Sequence, residues 1–240
     1  MKSSNLHIFI NLLKHRCTNV HLRLDQFYKN ANLTTFHPFI DRGAEMKQEI
    51  EKKYTVNYLP ENLKIVNILD MEQAFIYKDA KTVIRIRKIQ DKKSDDIKYI
   101  YTVKTKGDIA YHKDSTVANA YEIESYIQEE EFNQLIKNRI SNIIRKIRMM
   151  ISIENNLKVE MDIYKDYLQD LVTAEVEFPN EDIANSFQKP EWLGEEMSYQ
   201  ELSNWKLSNM TKEEWQEKVT KETIENNRKI IQKLRKNENM

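Results

Sequence analysis

Charged residues recur two positions apart along much of this chain. The pairs are Glu49 and Glu51, Arg85 and Arg87, Lys104 and Lys106, Glu122 and Glu124, Lys146 and Arg148, Glu160 and Asp162, and Glu175 and Glu177. The residue inside most pairs is apolar: Ile50, Ile86, Ile123, Ile147, Met161 and Val176, with Thr105 between Lys104 and Lys106 the exception. On an extended strand successive side chains alternate faces, so both members of a pair point one way and the residue between them points the other. A single such pair is an ordinary solvated strand face. Repeated strand after strand, each largely of one sign, the pairs place a carboxylate cluster opposite a cationic one. The cations suit a polyphosphate, since Arg binds phosphate oxygens bidentately and Lys supplies point charge. The carboxylates suit a hard divalent cation, which takes oxygen ligands and bridges to phosphate. A ring of strands with these faces inward would be a polar tunnel walled by its own apolar faces, tolerable when the charges are paired or ligand-bound.

The composition narrows the chemistry further. With 38 Lys+Arg against 38 Asp+Glu the chain is formally neutral, which argues against a dedicated nucleic-acid surface. Its 3 glycines, Gly43, Gly107 and Gly194, stand apart and exclude the glycine-rich loops that cradle nucleotide phosphates. The 1 cysteine excludes an internal disulfide framework and a Cys-based zinc cluster. Only His112 lies beyond the first 45 residues, which argues against a His-based metal site or a Ser-His-Asp triad. No apolar run reaches the roughly 18 residues of a membrane span. These features predict a soluble cytoplasmic protein whose chemistry is carried by carboxylates, lysines and arginines.

The elements that must position those residues follow from periodicity. Alternation predicts strands over Glu49–Val56, Met71–Tyr77, Thr82–Ile89, Tyr99–Lys106, Tyr121–Ile127, Arg145–Ile153, Lys158–Tyr164 and Thr173–Phe178. Pro60 is placed to open a short helix through Ile65. Phe132, Leu135, Ile136, Ile140, Ile143 and Ile144 recur at three and four, predicting a helix over Glu129–Ile144. Glu181–Phe187 reads as a short helix. A charged, solvated helix follows from Thr211, capped by Thr211 with Glu214. The expected class is α+β, one domain built around a barrel or strongly curved sheet. Residues 1–45 hold four of the histidines and read as an N-terminal extension, partly helical and dispensable for chemistry, or as sequence upstream of the native start. The main domain is expected over residues 46–209, and the charged C-terminal helix over 210–240.

Glu49-Ile50-Glu51-Lys52-Lys53 resembles the Glu-x-Glu-x-Lys signature of the CYTH superfamily, the triphosphate tunnel metalloenzymes. Later segments keep the order of that family's motifs. Leu59-Pro60 and Gln73-Ala74-Phe75-Ile76 are followed by Arg85-Ile86-Arg87, Thr102-Val103-Lys104, Glu122-Ile123-Glu124 and Lys146-Ile147-Arg148. Glu160-Met161-Asp162-Ile163-Tyr164, Ala174-Glu175-Val176-Glu177-Phe178 and the segment from Pro190 to Glu196 complete the series. The resemblance covers about Met46 to Asn209. It implies a closed antiparallel β-barrel tunnel of about eight strands with flanking helices, and metal-dependent hydrolysis of inorganic tripolyphosphate or a related triphosphate.

Carried over by position, the resemblance makes Lys53, Arg85, Arg87, Lys104 and Arg148 phosphate binders, with Lys106 beside them. It makes Glu49, Glu51, Glu175 and Glu177 ligands of Mg²⁺ or Mn²⁺, with Asp162 or Glu124 next to them. Lys146 becomes the base that activates water, a role that requires surroundings favouring the neutral amine, as a crowd of cations does. The family's Arg before the Glu-x-Glu pair is replaced by Ala120, leaving Lys113 or Lys106 to compensate. Two other readings use the same tunnel: a class IV-like adenylate cyclase with a ribose hydroxyl as nucleophile, and a non-catalytic triphosphate- or polyphosphate-binding module. The intact Glu-x-Glu-x-Lys run and Lys146 favour turnover.

Overall fold

The computed structural model describes residues 46–80, 82–106, 118–197 and 202–237. Strands β1 (Met46–Val56), β2 (Ile65–Lys78), β3 (Thr82–Asp91), β4 (Ile97–Lys106) and β5 (Ala118–Ile127) come first. They are followed by β6 (Ile144–Ser152), β7 (Lys158–Tyr164), β8 (Val172–Glu177) and β9 (Leu193–Met197). The order in the sheet is β5-β4-β3-β2-β6-β7-β8-β1-β9, every pair being antiparallel, and a further β5–β1 pairing closes the first eight strands into a barrel. Glu51 pairs with Ala118 of β5 and with Glu177 of β8, so β1 is the seam. The expected closed antiparallel barrel is the one observed.

β9 was not anticipated. It continues the β5 edge of β1, pairing Met197 with Lys53 and Leu193 with Val56. Gly194 permits this approach, because a Cβ there would lie 2.2 Å from Thr55 Oγ1 and 2.5 Å from Asn57 Oδ1.

The apolar residues between the charged pairs form the core outside the barrel. Ile50, Met149, Val159, Met161, Ala174 and Val176 are buried with Phe178, Trp192 and Ile230 in one cluster. It lies beneath helices α1 (Glu129–Leu135), α2 (Glu181–Ser186), α3 (Asn204–Leu207), α4 (Lys212–Gln216) and α5 (Lys221–Asn237) only in part, since Ala184 and Ile230 come from α2 and α5. A second cluster joins Ile144 and Tyr164 of the barrel to Leu202, Leu207, Trp215 and Ile224. The Trp215 indole N–H donates to Tyr167 O at 3.1 Å, so its burial leaves no orphan donor. Met149 packs in the outer cluster, whereas Met150 pairs with Glu160 and shares its face.

Three expected helices differ. Residues after Pro60 make only a turn before β2 begins at Ile65. The helix expected over Glu129–Ile144 stops at Leu135 and gives way to a single 3₁₀ turn, Ile136–Asn138. Beyond it the Ile140 N–H donates to Phe75 O at 2.8 Å, which draws the chain onto β2, and Ile144 opens β6. The three-four spacing of the isoleucines therefore spans a helix and a strand. The tail is two helices. Thr211 and Glu214 form the expected capping box, with the Glu214 N–H donating to Thr211 Oγ1 at 3.2 Å. A second cap interrupts the run, the Thr223 N–H donating to Thr220 Oγ1 at 3.1 Å. α5 is not merely solvated: Ile224, Asn227 and Ile230 are buried at helical spacing, and Ile231 and Leu234 pack on the outer core. The described part of the tail belongs to the same compact unit as the barrel, Ala44–Met240. Residues 1–45 and Lys113 lie outside the described residues. No helix among the described residues is long and apolar enough to cross a membrane.

Candidate active site

Strand pairing turns the charged pairs, with Lys106 lying outside the described side chains, into one lining. Lys53 faces Glu175, Glu175 faces Glu160, and Arg148 faces Asp162. On the other wall Arg85 faces Thr102, Thr102 faces Glu124, and Lys104 faces Glu122. Cross-strand partners share a face, so these side chains line the interior.

The best-buried part is a network of opposite charges. Lys146 Nζ donates to Asp162 Oδ2 at 2.5 Å, and Arg148 grips both Asp162 oxygens at 2.7 Å each. Arg148 also donates to Glu175 at 3.0 Å and to Glu160. Lys53 Nζ donates to Glu175 Oε1 at 3.1 Å and to the Leu202 carbonyl at 3.0 Å, so Leu202 is held against this end of the lining. Tyr164 lies under Lys146 at 5.5 Å from ring centre to Nζ and donates its hydroxyl to Asn204 Oδ1 at 3.0 Å. Lys53, Lys146 and Asp162 are 0–1% exposed, which is acceptable for charged groups only because each is paired.

The second group joins β1, β3, β4 and β5. Lys104 donates to Glu49 and lies 3.4 Å from Glu122 and 3.8 Å from Glu51. Arg87 donates to Glu124, which also accepts from Thr102 Oγ1 at 3.0 Å. Arg85 lies 3.4 Å from Glu122 and 3.7 Å from Glu124.

These surroundings shift protonation in opposite directions. Burial, and then the adjacent Arg148 guanidinium, push the Lys146 amine down to about 8, against the pull of Asp162 and Glu175. Burial pushes the Glu51 carboxyl up to about 8; Lys104 opposes this, while Glu49 and Glu175 reinforce it. Glu177, the most exposed of the four β1 and β8 carboxyls, is raised by partial burial and by Glu160 and Glu49. Burial works against the charge of Glu175 and Asp162 too, but there Lys53 and Arg148, or Arg148 and Lys146, prevail and hold both below the usual range. Glu122 is likewise lowered despite burial, through Arg85 and Lys104. Burial and Arg85 bring the Arg87 guanidinium down to about 10.

Most residues expected from the sequence meet on this lining: Glu49, Glu51, Lys53, Arg85, Arg87, Lys104, Glu124, Lys146, Arg148, Asp162, Glu175 and Glu177. Lys106 ends β4 opposite Ala120, and its side chain lies outside what the structure describes. Among the described residues, no three carboxylates are drawn together as a ready ligand set for a metal ion. The donor chemistry still fits Mg²⁺ or Mn²⁺, because Glu49, Glu51, Glu175 and Glu177 supply hard oxygens and the raised Glu51 and Glu177 mark a surplus of negative charge. Asp162 and Glu124 are engaged by arginines, as Glu175 is by Arg148 and Lys53 and Glu49 by Lys104. Sequence reasoning passed over Glu122, Glu160, Tyr164 and Gln73 as site residues. For Glu122, Glu160 and Tyr164 the signal was the two-residue spacing from Glu124 and Asp162, which puts them on the same face; Gln73 has no such neighbour and is placed there by its register against Arg87.

No family model matches the chain. The inorganic triphosphatase of Nitrosomonas europaea is 25% identical over 151 residues, covering 62% of this chain and 89% of that protein. Among solved structures, an inorganic triphosphatase is 25% identical with a TM-score of 0.46, over 68% of this chain and 95% of its own. A putative adenylyl cyclase from Hippeastrum with a dominant triphosphatase activity is 14% identical with a TM-score of 0.39, over 57% of this chain and 82% of its own. The similarity to the Nitrosomonas protein agrees with the CYTH-like motif order, and the closed barrel stands on the strand pairing of the chain itself.

Proposed function

We propose that this chain, a CYTH-like barrel similar to an inorganic triphosphatase, hydrolyses inorganic tripolyphosphate or a related triphosphate within its lining, with Mg²⁺ or Mn²⁺ as cofactor. The observation that carries this reading is the convergence of Arg85, Arg87, Lys104, Lys146 and Arg148 with carboxylates of β1, β5, β7 and β8 inside one closed barrel. Its place in the cytoplasm is part of the same proposal.

Every cation named in the lining now faces a carboxylate, so an incoming polyanion must replace those partners. Arg85, Arg87 and Arg148 would exchange carboxylate oxygens for phosphate oxygens, which guanidinium groups bind in fork geometry, and Lys104 would add point charge. Lys53, committed to Glu175 and the Leu202 carbonyl, serves in this reading to hold Glu175 in place as well as to add positive potential. Glu49, Glu51, Glu175 and Glu177 would hold the metal ion, which supplies charge neutralisation on phosphate oxygens when bound.

Lys146, with its amine brought near the working pH, would take a proton from water at Nζ. The water oxygen forms a bond to the terminal phosphorus while the bond to the bridging oxygen breaks. Tripolyphosphate and water thus give pyrophosphate and phosphate. Arg87 and Arg148 stabilise the charge that develops on the transferring group.

Phosphate release from tripolyphosphate, pyrophosphate and ATP, with Mg²⁺, Mn²⁺ or EDTA, tests the reading when the ATP products are separated by chromatography. The expected result is metal-dependent release from tripolyphosphate. Cyclic AMP from ATP would identify a cyclase, tight binding without release would identify a binding module, and failure to bind tripolyphosphate would refute the tunnel assignment.

A further inference from the structure

Gln73 lies within β2 and is 1% exposed, yet its side-chain Nε2 has no hydrogen-bond partner among the described residues. Register fixes its direction. Across one ladder Gln73 faces Arg87, and across the other it faces Ile144, with Lys146 the next residue of β6 on that face. Neighbouring Ala74, on the opposite face, is 0% exposed, so the outer side of β2 is also covered. Arg87 Nε likewise has no partner among the described residues. Two buried N–H groups on adjacent strands are therefore unspent on the wall that carries the phosphate-binding arginines. Leaving such donors unmet is costly, so a buried donor kept in a fold calls for a partner from outside the protein, a ligand or a water.

We propose that Gln73 is a neutral arm of the anion site: its amide N–H donates to an oxygen of the triphosphate that Arg87 binds beside it. The assignment rests on the tunnel reading above and adds a substrate-contacting residue to it. A carboxamide suits this place because it offers a donor without another positive charge beside Lys146 and Arg87. A lysine there would compete for the same carboxylates, and a glutamate would repel the anion.

Gln73→Leu separates a ligand-directed donor from a structural one, because the two roles predict opposite changes in stability. If the donor awaits the anion, removing it relieves an unmet polar group, and the variant melts at or above the wild-type temperature. Its kcat/KM for tripolyphosphate should fall about 10- to 100-fold, the worth of one hydrogen bond to a charged group. Gln73→Glu, of the same size, should lose more. Gln73→Met serves as a second apolar variant of similar length should Leu fail to fold. Wild-type kcat/KM in either apolar variant would overturn the proposal. So would a lowered melting temperature in both with no loss of kcat/KM beyond that of the unfolded fraction, the result expected if a buried water holds the amide. Calorimetry of tripolyphosphate with the wild-type protein distinguishes the two levels. Absence of binding overturns the tunnel reading and this one together, whereas wild-type binding matched by Gln73→Leu overturns this one alone.

Discussion

Replacing Glu51 by Gln should stabilise the metal-free protein while abolishing its activity. The Glu51 carboxyl is raised from 4.5 to about 8, chiefly by burial, with Glu49 and Glu175 adding repulsion. A carboxyl whose folded value lies above its unfolded one binds protons more tightly when folded. Its cost to stability is therefore absent well below pH 4.5, grows as pH rises between the two values, and is complete above pH 8. Between these two values the cost is about 3 kcal/mol at pH 7 and below about 1 kcal/mol at pH 5. Gln has nearly the same shape and no charge, so it removes the penalty. For a chain of this size that corresponds to a melting temperature higher by roughly 6–12 °C at pH 7, shrinking to a few degrees at pH 5. The assay is thermal unfolding in EDTA across this pH range, paired with tripolyphosphate hydrolysis in Mg²⁺. A Gln variant less stable than wild type at pH 7, or a gain that fails to shrink toward pH 5, would refute the view of Glu51 as a buried carboxyl whose burial outweighs the pull of Lys104. Full Mg²⁺-dependent activity would refute its place in the metal site.

Other expectations follow from the same lining. Lys146→Ala should lower turnover by about 10²–10⁴-fold with a smaller loss of triphosphate affinity by calorimetry; the wild-type rate should climb with pH through about 8 as the amine becomes neutral, and the variant should lose that limb. Equal losses of affinity and turnover would make Lys146 a phosphate clamp. Arg148→Ala leaves Asp162, Glu175 and Glu160 without their shared guanidinium and should destabilise the fold by about 3–5 kcal/mol in denaturant titration; a change below about 1 kcal/mol would show that the network does not depend on it. A chain beginning at Met46 should fold and keep its triphosphate activity, since the described lining draws on no earlier residue, and aggregation of that chain would show that the first 45 residues belong to the packing.

Much of the barrel could be read in advance because alternation is a local property. Glu49-Ile50-Glu51 sends its glutamates to one face and its isoleucine to the other whatever the rest of the chain does, and β7 was bounded at Lys158 and Tyr164 by that pattern alone. Helix ends were less legible. The isoleucines of 136–144 satisfy a helical period, but the helix stops because Phe75 O captures the Ile140 N–H, a partner 65 residues away. β9 carries a short, glutamate-rich pattern, and only the open edge of β1 makes it a strand.

The site divides along the same line. By itself the sequence determined which residues share a face, the absence of glycine-rich phosphate loops, and the reliance on carboxylates, lysines and arginines. Tertiary structure decided which charge meets which. Asp162 and Glu175 are both acidic-strand residues by pattern, but register sets them against Arg148, Lys146 and Lys53, whereas Glu51 lies near Glu49 and Glu175 and is driven by burial toward its neutral form. Lys53 meets a carbonyl at Leu202, and Gln73 keeps a donor unspent. Side-chain direction follows from a strand's own pleat, but ionisation and partnership depend on distances set by ring closure and register, which no short stretch of sequence contains.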